Sequence, residues 1–571
     1  MSNLSDFAPP DAGVRGQPTA GGVLADALRR PSQETKNAPC GACCASGSNV
    51  RGWIGVIAQR HKLGLTDGQA YTRAWSMVTS VNPFPATLGR ICPHPCESGC
   101  NRGGKDGAIA INALERFLGD WALQQRLALP LLDEGRQPES IGVIGAGPAG
   151  LSFAYQMARR GYRVTVYETQ DKPGGMLQYG IPQYRLPEEV LAAEIERVLA
   201  VGVELRTGTA VGRDVSIAEL RERHAALFVG IGAGRGRTLG IPGEDGTGVF
   251  TGTEYLGARN RGEAVALGER VIVVGGGNTA MDAARSARRG GAQVTILYRR
   301  SAAEMPAIAG EVMAAIDEGI DIRHLAAPVR IDRDGDRIRA VVAHQMALGD
   351  VDASGRRRSM PVAGSEFELP ANAVIAAVSQ ETDWSHLEDL GASAAGAHSP
   401  ATAELSAGIF AGGDALGPAI AGRAIAQGRQ AAEAMHARLR GLPTDARMPA
   451  GSIVPTAVAK ADFYVPRPRA SLPSLAVDAR LAQPDAEVDR TIGEGAFQDE
   501  VARCFSCGLC FGCEHCFTYC NAGGFTRLEQ PQPGAYFALS LDSCEACRKC
   551  IEVCPCGYLS AVPRPAPAGP G

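Results

Sequence analysis

The chain has 571 residues, of which 45% are hydrophobic and 21% charged, and its formal net charge is -4. At roughly 100 to 200 residues per domain this length requires several domains. The near-neutral charge excludes a global field for nucleic acid or an anionic membrane, and no stretch approaches the ~18 apolar residues of a membrane-spanning helix.

The opening MSNLSDFAPPDAGVRG has no basic segment followed by an apolar run, so a cytoplasmic protein is expected. Seventeen cysteines then argue for metal or redox chemistry, because cytosolic thiols are kept reduced. Six lie between Cys40 and Cys100, eleven between Cys504 and Cys556, and none between those two groups. In the first module Cys40, Cys43 and Cys44 precede Cys92, Cys96 and Cys100 of GRICPHPCESGC. These are enough thiolates for one 4Fe-4S cluster and too few for two all-cysteine clusters, so one N-terminal cluster is expected. Buried structural cysteine is the alternative.

The cysteine-free body contains two similar segments, SIGVIGAGPAGLSFAYQMARRGYRVTVYE and RVIVVGGGNTAMDAARSARRGGAQVTILYRR. Each reads as an apolar strand, a Gly-rich turn, a helix with small residues on one face and a second β-branched strand. In the first, Gly145, Gly147, Pro148, Ala149 and Gly150 open a helix whose N-terminus would face a pyrophosphate, and Glu168 ends the next strand, where a carboxylate accepts hydrogen bonds from a ribose diol. An FAD site is expected, completed by Gly175 and by Gly412, Gly413 and Asp414 of IFAGGDALG. An Asp-containing turn that caps a helix is the bland reading of the latter. In the second segment Gly275, Gly277, Asn278, Thr279 and Ala280 repeat the fingerprint with Ala in its third place. Tyr298 stands where Glu168 stands in the first, and Arg299 and Arg300 follow. Their forked donors suit a 2'-phosphate, so NADPH is expected over NADH; solvated surface arginines are the alternative.

Residues 441–500 are rich in Pro, Ala and charge and read as a linker laid over the surface. Beyond it Cys510, Cys513, Cys516 and Cys520 have the spacing C-x2-C-x2-C-x3-C, which Cys544, Cys547, Cys550 and Cys554 repeat. In two-cluster bacterial ferredoxins the fourth Cys of each run ligates the other cluster. The expected cubane sets are therefore Cys510, Cys513, Cys516 with Cys554, and Cys544, Cys547, Cys550 with Cys520. Structural zinc is the competitor, but it favours two pairs far apart. Cys504, Cys507 and Cys556 are left over, and the tail PRPAPAGPG reads as disordered.

The motifs NPFPATLGRICPHPCESGC, GAGPAGL, GGMLQYGIPQYRLP, IPGED, GGGNTAMDAARSARRGGAQVTILYRR, EMPA and FAGGD occur in this order between about residues 35 and 436. The chain thereby resembles the small subunit of glutamate synthase and its relatives, including the NADPH-binding half of dihydropyrimidine dehydrogenase. The resemblance implies an N-terminal helical iron-sulfur domain, an FAD domain and an inserted NADPH domain; with the cysteine runs near the other end, the expected fold is an α/β protein with two Rossmann-like domains flanked by that helical domain and a C-terminal ferredoxin-like domain. The expected bounds are 1–135 for the helical domain, 136–245 and 376–440 for FAD, 246–375 for NAD(P)H, 441–500 for the linker and 501–571 for the ferredoxin-like domain. It also implies hydride transfer from NADPH C4 to flavin N5, followed by one-electron steps, with no catalytic side chain.

Two departures are informative. Ser48 and Gly52 stand where relatives carry further cysteines, so a second N-terminal cluster is not expected. Glutamate synthase small subunits proper lack the C-terminal module; the nearer likeness is to relatives with that extension, which act as electron hubs. An oxidoreductase passing electrons between NADPH and a ferredoxin or a partner-enzyme subunit, inside a hetero-oligomeric complex, is the expected function. A glutamate synthase small subunit feeding an amidotransferase and a non-catalytic electron-wire subunit are the alternatives. No cysteine pair follows Glu168 in DKPGGMLQYGIPQYRLPEE, so a local dithiol cannot be the acceptor.

Overall fold

The structure is a computed structural model that describes residues 29–133, 135–351, 355–385, 387, 404–443 and 452–563. The opening segment and the Pro-rich tail beyond 563 lie outside the described residues.

The apolar run Ile141 to Ile144 forms the strand Ser140–Ile144 at the centre of a six-stranded sheet. Its neighbours in order are Glu404–Ser406, Ile409–Ala411 and Ala226–Val229 on one side, and Arg163–Tyr167 and Val203–Arg206 on the other. All pairings are parallel except the edge pair Glu404–Ser406 with Ile409–Ala411. Such strands are buried on both faces, which is why they read as continuous apolar runs. The helix Pro148–Ala158 starts with Pro at its first position, where the missing N–H is not needed. The long helix Ala421–Arg440 packs on it so closely that a Cβ at Gly428 would run into the Ala149 carbonyl.

The second unit has five parallel strands in the order Asp321–His324, Gln293–Tyr298, Arg270–Val274, Ala373–Ala376 and Val249–Thr251. Its helix Asn278–Arg289 buries Ala280, Ala283, Ala284 and Ala287 against the sheet. An antiparallel sheet of Ala326–Asp334, Arg337–Val351, Arg357–Pro361 and Phe367–Pro370, unforeseen in the sequence reading, covers the opposite face through Val341, Ala343 and Leu369.

The N-terminal module is helical, built on Val50–Ala58, Asp67–Thr79, Pro85–Ile91 and Ile111–Gln124. The described part of 441–500 is more than a loose tether. Val454, Tyr464 and Ile492 are buried in it, and it ends in the helix Glu494–Ala502, which enters the N-terminal core. There Phe497 stacks on Phe117 at 3.9 Å and meets Tyr71 edge-on at 5.3 Å. The sequence hid this packing because the helix is a single short element whose apolar residues find their partners far away along the chain. The two ends of the described chain also meet: Arg29–Gln33 pairs antiparallel with Leu559–Pro563.

Candidate redox centre

Both Gly-rich turns sit at the carboxyl end of their first strand, where ligands bind in open α/β sheets. Gly145 has φ +97° and a Cβ there would approach the Gly230 carbonyl, while Gly275 has φ +144° and its Cβ would strike the Ala377 carbonyl. Only glycine fits these two places. A Cβ at Gly147 or Gly277 would meet nothing within 4 Å, which leaves each helix N-terminus an open cradle of the kind that receives a pyrophosphate. Pro148, Ala149 and Gly150 form the first turn of one helix, and Asn278, Thr279 and Ala280 that of the other.

Glu168 lies beside the first cradle, its carboxylate accepting from the Ala146 amide at 2.7 Å and the Gln170 amide at 2.9 Å. Burial pushes this carboxyl up from its ordinary range and the two amides oppose that. Gly175 packs against the Gly147 backbone from above. Gly413 lies against Ala149, and Asp414 accepts from the Ala419 amide at 3.0 Å at the foot of the helix Ala421–Arg440. The residues assigned to FAD therefore surround one cradle.

At the second cradle the Tyr298 ring lies against Gly276, and its hydroxyl donates to the Glu304 carbonyl at 2.6 Å. The two arginines differ in exposure. Arg299 is exposed, whereas Arg300 is 5% exposed and donates from Nε to the Arg357 carbonyl at 2.8 Å. Both lie in the bend that follows the strand Gln293–Tyr298, one turned outward and the other inward.

The six N-terminal cysteines do not converge on one point. Cys44, Cys92 and Cys96 line a small cavity together with Ser46, His94 and Glu115. Their thiols are mutually coupled, and burial pushes Cys92 up to about 12. Glu115 is buried, accepts from Asn82 Nδ2 at 2.9 Å and is pushed up to about 7, chiefly by burial. Cys40 and Cys100 belong to a different group, facing Cys504 and Cys507. Cys43 couples to Cys44 and lies beside Gly99. The expectation of a single N-terminal centre thus meets two separate groups of thiols. The reason is geometric: the short helix Pro39–Cys43 sends Cys40 to one side and the turn after it sends Cys44 to the other.

In the C-terminal module Cys510, Cys513, Cys516 and Cys554 line a small cavity with Cys556, Phe525 and Phe537. Cys550 is coupled to Cys520, Cys544 and Cys547. Cys556 stands 3.9 Å from Cys554. None of the seventeen cysteines is in a disulfide. Among the described residues no three His, Cys, Asp or Glu side chains close tightly enough to hold a single metal ion. A cubane spreads its ligands round several irons and takes a wider ring of sulfurs.

Two dinucleotide cradles on parallel sheets, with separate sets of thiols beside them, define the class of iron-sulfur flavoprotein oxidoreductases. The chain belongs to the pyridine nucleotide-disulphide oxidoreductase family, whose profile matches residues 139–428, and within it to the NADPH-linked iron-sulfur flavoproteins that include glutamate synthase small subunits. Residues 23–127 match the 4Fe-4S cluster domain II of dihydropyrimidine dehydrogenase.

The glutamate synthase (NADPH) small chain of Azospirillum brasilense is 34% identical over 70% of this chain and 86% of its own length. The NADP(+)-dependent formate dehydrogenase subunit beta of Moorella thermoacetica is 38% identical over 71% of this chain. The NADPH-Fe(3+) oxidoreductase subunit beta of Geobacter sulfurreducens is 36% identical over 63% of it. The chain spans 60% and 54% of the length of the latter two relatives. Despite the family's name, no cysteine lies between Cys100 and Cys504, so the flavin domain itself carries no dithiol.

Proposed function

We propose that this protein moves electrons between NADPH and a ferredoxin or partner-enzyme subunit, as one subunit of a hetero-oligomeric cytoplasmic complex. The observation that carries the reading is the pairing of two glycine cradles, open at Gly147 and Gly277, with thiol sets at both ends of a chain whose flavin domain itself carries no cysteine. When bound, FAD accepts a hydride from NADPH and passes its electrons on singly to iron-sulfur clusters.

Gly145, Gly147, Gly150, Glu168, Gly175, Gly413 and Asp414 would hold the FAD, the first three by backbone approach and Glu168 at the ribose. Gly275, Gly277, Asn278, Thr279 and Ala280 would hold the NADPH pyrophosphate, and Arg299 with Arg300 the 2'-phosphate side. Cys510, Cys513, Cys516 and Cys554 would ligate one cubane, and Cys520, Cys544, Cys547 and Cys550 another. Cys44, Cys92 and Cys96 would hold a third, with the buried Glu115 in the same cavity wall as the fourth ligand. The relatives named as beta or small subunits support assembly with a partner.

The test is an anaerobic titration of the purified protein with NADPH. Bleaching of flavin absorbance together with the appearance of reduced-cluster EPR signals is expected, followed by reduction of added ferredoxin. A protein whose flavin NADPH cannot bleach, or whose clusters stay oxidised when it does, would overturn the proposal.

A further inference from the structure

Cys504 and Cys507 have no place in either ferredoxin-type run, yet the fold carries them across the molecule. Arg503, 1% exposed on its side chain, donates to the carbonyls of Asp106, Gly107 and Ala108 and pairs with Asp106 and Glu500. Glu500 in turn accepts from the amides of Ala110 and Ala470 at 2.8 and 2.7 Å. Beyond this anchor the chain runs beside the segment that leads to Cys40: the Lys36 amide donates to the Gly508 carbonyl at 3.1 Å. Arg51 clamps the same two segments, donating through Nη1 to the Lys36 and Cys507 carbonyls at 2.5 Å each. Asn101, next to Cys100, donates from Nδ2 to Cys507 Sγ at 3.5 Å and to the Val454 carbonyl at 3.2 Å.

We infer that Cys40, Cys100, Cys504 and Cys507 form the ligand set of a further 4Fe-4S cluster, assembled half from each end of the chain. The inference rests on the iron-sulfur reading above and adds a site to it. Cys40, Cys100 and Cys504 pack against the same core, and Asn101, the neighbour of Cys100, holds Cys507 Sγ, so all four thiols are drawn to one place. The Ser506 amide donates to Cys504 Sγ at 3.4 Å, an amide-to-sulfur bond of the kind that tunes cluster potentials.

Arg51 supplies an independent sign. It is 7% exposed and its Nε has no hydrogen-bond partner, while its Nη1 meets only neutral carbonyls, those of Lys36 and Cys507. A buried guanidinium needs an anion. Four thiols that bind a preformed cubane release four protons and leave the site anionic, which supplies that partner. Position gives the cluster its task. Tyr464 stacks at 4.1 Å on Phe505, the neighbour of Cys504, and meets at 6.1 Å Phe511, the neighbour of Cys510. The composite cluster thus stands between the N-terminal module and the ferredoxin-like module, as the relay that joins them.

The test uses the full-length protein, purified anaerobically, with iron counted per FAD and spins counted by EPR after reduction. The parent is expected to hold about sixteen iron atoms, and Cys504→Ala with Cys507→Ala about four fewer, with one EPR contribution lost and the flavin still reduced by NADPH. Cys43→Ala is expected to keep the full count. Should the double variant lose its flavin as well, Cys504→Ser, whose oxygen can replace the sulfur as a ligand, is expected to retain iron and shift one EPR signal. Unchanged iron in the double variant, an unshifted spectrum in Cys504→Ser, or the loss of four irons in Cys43→Ala instead would overturn the inference. Those results leave the proposed function standing if NADPH still reduces flavin and clusters, whereas a parent without iron removes both.

Discussion

Coenzyme choice offers the sharpest test of the nucleotide site, and the structure dictates which arginine to change. Arg300 is nearly buried and holds the Arg357 carbonyl, so its removal disturbs the packing beside the site and is expected to weaken it for either coenzyme. Arg299 is exposed at the end of Gln293–Tyr298, on the rim of the second cradle, so Arg299→Ala removes charge without disturbing the core. A charge-assisted hydrogen bond to a phosphate is worth about 1.5–3 kcal/mol. An exposed donor falls at the lower end, which is about tenfold in kcat/KM for NADPH. NADH, which lacks the 2'-phosphate, should be oxidised at an unchanged rate. The assay is anaerobic coenzyme oxidation with a dye that accepts directly from flavin. Equal losses with both coenzymes, or no loss with NADPH, would refute the assignment of Arg299 to the 2'-phosphate.

Phe497→Ala should destabilise the N-terminal module by about 3–5 kcal/mol, because a fully buried ring leaves a cavity between Phe117 and Tyr71; chemical denaturation followed by tryptophan fluorescence measures it. Arg185 pairs with Asp282 at 2.8 Å and Glu311 at 3.1 Å, joining the flavin unit to the nicotinamide unit. Arg185→Met, which takes from the buried Asp282 its ion-pair partner while Glu311 keeps Arg285, should lower stability by about 3–5 kcal/mol and slow flavin reduction at saturating NADPH in stopped-flow measurements. Glu194 accepts from the Ala86 and Thr87 amides at 2.8 Å, and burial raises its carboxyl from 4.5 to about 7. The folded state therefore keeps a proton that the unfolded chain releases. The contribution of Glu194 to stability is fully present below pH 4.5 and declines by about 3 kcal/mol as pH rises towards 7, and Glu194→Gln should remove that part of the pH dependence in denaturation curves run across the range.

What could be read directly from the sequence is what short stretches of chain determine alone. The two fingerprints were legible because strand, glycine turn and helix are consecutive, and Gly145 and Gly275 answer to steric demands within a few residues of backbone. The two ferredoxin-type sets were legible for the same reason, since their spacing repeats within one small module. Tertiary structure alone decided the rest. That Arg299 and Arg300 part company follows from the close of a strand and the packing of Arg357–Pro361 beside it, which no local pattern encodes. That Cys40 and Cys100 find Cys504 and Cys507 depends on Phe497, Glu500 and Arg503 docking in a core made of residues some four hundred positions earlier. Spacing rules describe ligands that a turn or a helix holds together. When burial of an aromatic ring and an ion pair brings the ligands into contact, the sequence shows leftover cysteines, and only the folded chain shows what they face.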